Sequence, residues 1–113
     1  MYDLEERTYQ FAKDVAVFIK KIPKTTGNIE YSKQVIRSSG SVGANYIEAN
    51  ESLSKKDFNM RIKICRKEAK ETSYWLRLLV ETNDKDQSTI GEKLIRESDE
   101  LKKIFSAIIE KSK

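Results

Sequence analysis

The stretch from Lys55 to Thr82 leaves this chain little choice of fold. Phe58, Ile62, Cys65, Ala69, Thr72, Leu76 and Leu79 recur in strict steps of four and three. That alternation lines one side of a helix with a seam suited to packing in a bundle. Ser54 stands at its N-cap, with Asp57 three residues on in the manner of a capping box.

Three further stripes supply partners for that seam. Leu4, Thr8, Phe11, Val15, Phe18, Ile19 and Ile22 fall at helical intervals, predicting a helix over about residues 4–22. Pro23 cannot continue it, and Lys24-Thr25-Thr26-Gly27-Asn28 reads as a loop. A second helix over 29–53 carries Tyr31, Val35, Ser39, Val42, Tyr46, Ala49 and Leu53. The third covers 55–82. After the loop Asn83-Asp84-Lys85-Asp86-Gln87, Ser88 reads as the cap of a fourth over 88–110, with Ile90, Leu94, Ser98, Leu101, Phe105 and Ile108 on its stripe. Residues from Glu110 to Lys113 are expected to fray. One proline and four glycines in 113 residues are little punctuation. The expectation is a single all-α domain over 1–113, an antiparallel up-down-up-down four-helix bundle.

The second helix is chemically unusual. Arg37-Ser38-Ser39-Gly40-Ser41-Val42-Gly43-Ala44-Asn45-Tyr46-Ile47-Glu48-Ala49 keeps helical spacing but holds two glycines and three serines. Glycine costs about 1 kcal/mol against alanine inside a helix, so tertiary contact must hold this segment. Its small side chains permit close approach to the third helix, level with about Ala69 down to Lys63. A second strip, Ile36, Gly40, Gly43, Ile47 and Asn50, lies roughly 80–100° around the helix and predicts contact on more than one side.

Histidine is absent, which removes the commonest general base and metal ligand together. The lone Cys65 lies on the seam and reads as a buried inert thiol, with no disulfide partner. Serines 38, 39, 41, 52, 54 and 73 have no histidine to activate them. Ser39-Gly40-Ser41-Val42-Gly43 follows no strand and fits a dinucleotide fingerprint poorly. Paired glutamates in bundles bind two metals with the help of a Glu-x-x-His spacing that this chain lacks. No catalytic residue, metal or cofactor is expected. With no signal-peptide h-region and no apolar run of about 18 residues, no membrane association is expected and the location reads as cytoplasmic.

The formal charge is +4, and much of it is concentrated. Lys55–Lys70 holds seven basic and two acidic residues. At about 100° per residue, Lys56, Lys63, Arg66, Lys67 and Lys70 share one arc, which Tyr74 and Arg77 extend. Such an arc is either a solvated face whose lysines meet carboxylates on neighbouring helices or a stripe that contacts phosphate. It holds no cluster of stacking aromatics, so reading of base sequence is not expected. On the other flank, Ile64, Trp75 and Leu78 lie outside the seam, among Glu68 and Glu71. They predict an oligomer interface, although an intrachain contact would also cover them. Pairing the second and third helices about the Leu53–Ser54 turn brings Arg37 level with Lys70 and Glu71, predicting a structural Arg37–Glu71 ion pair.

Two long stretches also carry a family resemblance. They are Gln34-Val35-Ile36-Arg37-Ser38-Ser39-Gly40-Ser41-Val42-Gly43-Ala44-Asn45-Tyr46-Ile47-Glu48-Ala49 and Lys67-Glu68-Ala69-Lys70-Glu71-Thr72-Ser73-Tyr74-Trp75-Leu76-Arg77-Leu78-Leu79, with Ser54-Lys55-Lys56-Asp57-Phe58 between. The chain resembles bacterial four-helix-bundle proteins encoded by intervening sequences in large-subunit ribosomal RNA genes, often labelled ribosomal proteins by misnomer. Arg37, Asn45, Glu48, Glu71 and Trp75 match the family pattern; Tyr46 stands where many relatives have a smaller aliphatic. The resemblance implies a homopentamer, and similarity to the accessory variability protein of diversity-generating retroelements, which binds nucleic acid and a reverse transcriptase. Residues and resemblance together predict a non-enzymatic scaffold that binds RNA or DNA through the basic arc. The alternative is a protein-interaction module with no nucleic-acid role.

Overall fold

A computed structural model describes residues 3–113. Helices α1 (Leu4–Lys20), α2 (Thr26–Asn50), α3 (Lys55–Glu81) and α4 (Ser88–Lys111) follow in order, with a 3₁₀ turn at Lys85–Gln87 ahead of α4. Each packs antiparallel to the next, and α1 closes weakly onto α4. The chain is thus an all-α, up-down-up-down bundle. It measures 45 × 23 × 20 Å, the long axis being close to the roughly 40 Å of a 27-residue helix.

The helix ends depart from expectation for local reasons. Cap bonding from the Lys21 N–H to the carbonyls of Phe18 and Ile19 ends α1 at Lys20 rather than Ile22, although Ile22 stays buried. α2 starts three residues early because Thr25 acts as its N-cap, accepting from the Asn28 N–H at 3.3 Å. Gly27 and Asn28 are therefore helical, not loop. Asn28 then clasps Asn83 through reciprocal amide bonds of 2.7 and 2.9 Å, pinning the α1–α2 connection to the end of α3. At its other end α2 stops at Asn50, and Leu53 is 99% exposed rather than a member of the seam. Ser54 caps α3 as expected, accepting from the Asp57 N–H at 3.1 Å. Ser88 is not a cap: it is the first residue of α4, and its hydroxyl donates to the Lys85 carbonyl at 2.8 Å. The tail does not fray at Glu110. α4 runs to Lys111, and Asn59 of α3 donates to the Ser112 carbonyl at 3.3 Å.

The core is built from the expected stripes. On α3, Ile62, Cys65, Ala69, Thr72, Leu76 and Leu79 are fully buried, facing Val35 and Val42 of α2, Val15 and Phe18 of α1, and Leu101 and Phe105 of α4. On α4 the stripe ends at Ile109 rather than Ile108, and Ile90 is exposed while Gly91 is buried. The α2–α3 register is fixed by polar contacts. The hydroxyls of Thr72 and Ser38 lie 2.8 Å apart, the Cys65 thiol donates to the Val42 carbonyl at 3.4 Å, and Arg61 donates to Asn45 at 3.0 Å.

The small residues of α2 divide their work. Serine, not glycine, lies against α3, through Ser38. Gly43 faces α1 instead, where an added Cβ would lie 2.9 Å from the Thr8 hydroxyl oxygen and 3.2 Å from its Cβ. Thr8 is fully buried and its hydroxyl donates to the Leu4 carbonyl at 2.7 Å, so it has little room to yield. Gly40 faces open space. The tightest glycine is Gly91, where a Cβ would run into the side chain of Val80 and come within 3.2 Å of Phe18. Guanidinium titration should rank the alanine variants by these surroundings. Gly91→Ala loses about 1–3 kcal/mol by overpacking, whereas Gly40→Ala gains up to about 1 kcal/mol from helix propensity. Gly43→Ala falls between them, and equal effects at all three sites would refute the packing account.

Candidate nucleic-acid interface

The outer face of α3 carries Lys56, Lys63, Lys67 and Lys70, all exposed, with Arg66 partly so. Helical spacing puts them there because the seam takes the opposite side of the helix. Neighbouring helices do not neutralise them. Among the described residues, Lys56, Lys63, Arg66 and Lys70 form no ion pair, and Lys67 reaches only Glu68, at 4.0 Å. A shallow groove runs beneath, with Met60 and Ile64 as its apolar floor and Lys55, Lys56, Lys63 and Lys67 around it. The arrangement offers cations to a polyanion and leaves their methylene stems on apolar surface.

Glu68 and Glu71 face a different way, whereas Glu81 at the end of α3 lies on the arc and pairs with Arg77 at 3.6 Å. Glu68 is buried, and Arg37 from α2 bonds it at 3.3 Å while pairing with Glu71 through its other terminal nitrogen. Desolvation pulls the Arg37 pKa down, but the hydrogen bond and charge of Glu71, then those of Glu68, outweigh it and hold the group above its ordinary value. Arg37 and Glu71 are thus brought together, and Glu68 joins them. The register that levels Arg37 with Glu71 had the signal for this third member, since Glu68 precedes Glu71 by one turn.

Glu71 also receives the Trp75 indole N–H, at 2.9 Å. Tyr31 of α2 stacks on that indole, with ring centroids 6.1 Å apart and planes 29° from parallel. Tyr74 meets it edge-on at 5.0 Å and 80°. Trp75 is therefore covered in part within the chain, by α2, and Ile64 and Leu78 are likewise half-buried. Sequence reading of one helix at a time missed this aromatic group, because it spans two helices. A second apolar surface lies on α2, where Ile29, Ile36, Gly40 and Ile47 fall within roughly 40° of arc. Ile36 and Ile47 are each 48% exposed. Asn45 is structural through Arg61, Glu48 is exposed, and Tyr46 packs against Phe105 with centroids 6.0 Å apart.

The hydroxyls and the thiol are occupied structurally. Ser73 bonds Ser98 and also donates to Asp99 at 2.8 Å. Burial pushes the Cys65 thiol up to about 12. A raised thiol pKa means the folded chain keeps a proton that the unfolded chain releases near pH 9. The stability difference between the native chain and Cys65→Ala should therefore hold below pH 9 and narrow as pH rises toward 12. Alkylation of Cys65 at pH 8 should proceed no faster than global unfolding; rapid labelling of the folded chain would refute its burial. At the acidic edge, Arg37→Met strands the Glu68 carboxylate and should lose about 1–3 kcal/mol in thermal or chemical unfolding. Adding Glu68→Gln should restore most of that loss.

Three comparisons with known proteins bear on this geometry. The profile of a family described as 23S rRNA-intervening sequence protein matches residues 2–107. The fold is similar to the crystal structure of a protein of unknown function from the S23 ribosomal protein family of Bacteroides thetaiotaomicron VPI-5482. Identity is 32%, the TM-score is 0.78, and the match covers 93% of this chain and 96% of that one. No curated protein matches.

Proposed function

We propose that this chain, which belongs to the 23S rRNA-intervening sequence protein family, is a non-catalytic cytoplasmic scaffold that binds nucleic acid, RNA above all, through the basic face of α3. The observation that carries this reading is the clustering of Lys56, Lys63, Arg66 and Lys70 on one face of one helix, where none of them meets a carboxylate among the described residues. Like charges held together on one helix repel one another, and a polyanion relieves that repulsion while its counterions are released. The contacts are to phosphate, so binding is not specific for base sequence. The family name speaks of ribosomal RNA genes, which agrees with an RNA partner without identifying one.

The scaffold is read as a homo-oligomer, a homopentamer in line with the family resemblance. A ring of five needs two different surfaces on each copy, because its contacts are head-to-tail. Two apolar surfaces support this. One is the α2 stripe at Ile36, Gly40 and Ile47; the other is the edge of α3 at Ile64, Trp75 and Leu78. The alternative, a protein-interaction module, draws support from the apolar groove at Met60 and Ile64. A pull-down from nuclease-treated lysate separates the two readings, since only a protein partner survives that treatment.

Filter binding against mixed RNA and DNA provides the main test. Five phosphate contacts predict an affinity loss between 50 and 200 mM salt of about 100-fold for single strands and about 500-fold for duplex. Replacing Lys63, Lys67 and Lys70 with glutamate should abolish retention. No retention at low salt, or retention unchanged by those replacements, would overturn the reading. Light scattering should give several times the 13.1 kDa chain mass, with Ile47→Glu reducing it; a monomer would overturn the assembly.

A further inference from the structure

We infer that the basic face of α3 takes single-stranded rather than duplex nucleic acid, with one unpaired base stacked on Tyr74. This rests on the nucleic-acid reading above and names the form of its ligand. Tyr74 is 57% exposed, the largest aromatic surface on this helix. Counted from Phe58 at about 100° per residue, it falls within the arc that holds Lys56, Lys63, Lys67, Lys70 and Arg77, level with Lys56 and between Lys63 and Lys67. Lys70 precedes it by one turn and Arg77, which shares its charge with Glu81 at 3.6 Å, follows by one turn, so the Cβ of each lies about 5–6 Å from that of Tyr74.

The ring is also held in place before any ligand arrives. Its edge rests against the Trp75 indole, 5.0 Å away at 80°. That indole is fixed on its other sides by the bond to Glu71 and the stacked Tyr31. Glu71 is fixed in turn by Arg37. A ring supported in this way loses little freedom when something stacks on its open face. Aromatic faces bind unpaired bases of any sequence, while cations on either side follow the backbone. A duplex keeps its bases stacked on one another and has none to offer the ring. Lys56 to Arg77 spans about 30 Å of helix, so the strand runs along the helix axis with Tyr74 near one end.

Fluorescence anisotropy with oligouridylate, oligothymidylate and a mixed-sequence RNA duplex of equal length tests the inference. The expected result is tighter binding of both single strands than of the duplex, since nothing at Tyr74 distinguishes the two sugars. Tyr74→Ala should weaken single-strand binding at least about fivefold and leave duplex binding unchanged, while Tyr74→Phe should bind as the native chain does. Circular dichroism and light scattering on both variants check fold and mass. Preference for duplex, or single-strand binding indifferent to Tyr74→Ala yet lost on replacing Lys63, Lys67 and Lys70, would overturn the stacking site and leave the basic-face reading standing. A fall in oligomer mass with Tyr74→Ala would assign the ring to a subunit contact and also overturn it. No binding of any probe by the native chain would refute both readings.

Discussion

Helix α3 is held on two flanks by hydroxyl contacts from adjacent residues, Thr72 toward Ser38 of α2 and Ser73 toward Ser98 of α4, and the spacing of the bundle follows from them. A hydroxyl pair brings two helices closer than a pair of leucines would. The seam positions on the N-terminal side obey the same limit, being Ala69 and Cys65, whereas Leu76 follows on the other side. The pairs also fix the register. Sliding α2 by one turn would lose the Thr72–Ser38 bond, about 0.5–1.5 kcal/mol net, while each hydroxyl keeps a carbonyl of its own helix, Glu68 for Thr72 and Val35 for Ser38. Close spacing on α3 then makes the other tight points necessary, since Gly91 must admit Val80 and Phe18 from the two helices beside it.

Much of this was legible in the residues. The four stripes, the cap at Ser54 and the level of Arg37 with Glu71 all follow from helical periodicity and one short turn. The departures have physical causes that periodicity does not carry. Thr25 caps α2 because its side chain reaches the Asn28 N–H, a local bond hidden behind the strong stop signal of Pro23. Leu53 fits the stripe arithmetically but lies beyond the last helical residue, so the continuation has no structure to act on. The glycines of α2 were harder still. Which neighbour a missing Cβ would have met depends on the placement of α1, and only the assembled bundle supplies that. The same holds for the lysines of α3, whose lack of partners is a fact about every surrounding helix.

Helix α3 separates its roles by face, and Arg37 makes the separation sharp. Glu68 and Glu71 would otherwise lie beside the lysines and offset their charge. Drawn toward α2 by one guanidinium, they are half neutralised there, and of the arc only Lys67 comes within 4.0 Å of Glu68. The rest of the basic arc keeps its field. The arrangement also ties the aromatic group to the ion pair, because Glu71 serves both Arg37 and Trp75. Support for the exposed surface thus comes from the solvent-facing edge of the α2–α3 contact, and a change in that contact would be felt at Tyr74.

The uncompensated lysines also restrict how copies of the chain can meet. Two α3 outer faces brought together would set cation against cation in a poorly screened space, so contacts pairing that face with itself are penalised. A two-fold dimer across α3 would do this, whereas head-to-tail contacts between unlike surfaces keep the faces apart. In a closed ring of such contacts every copy would turn its lysines to solvent at the same height. Symmetry would space the faces evenly, so a closed assembly would present a regular girdle of positive charge.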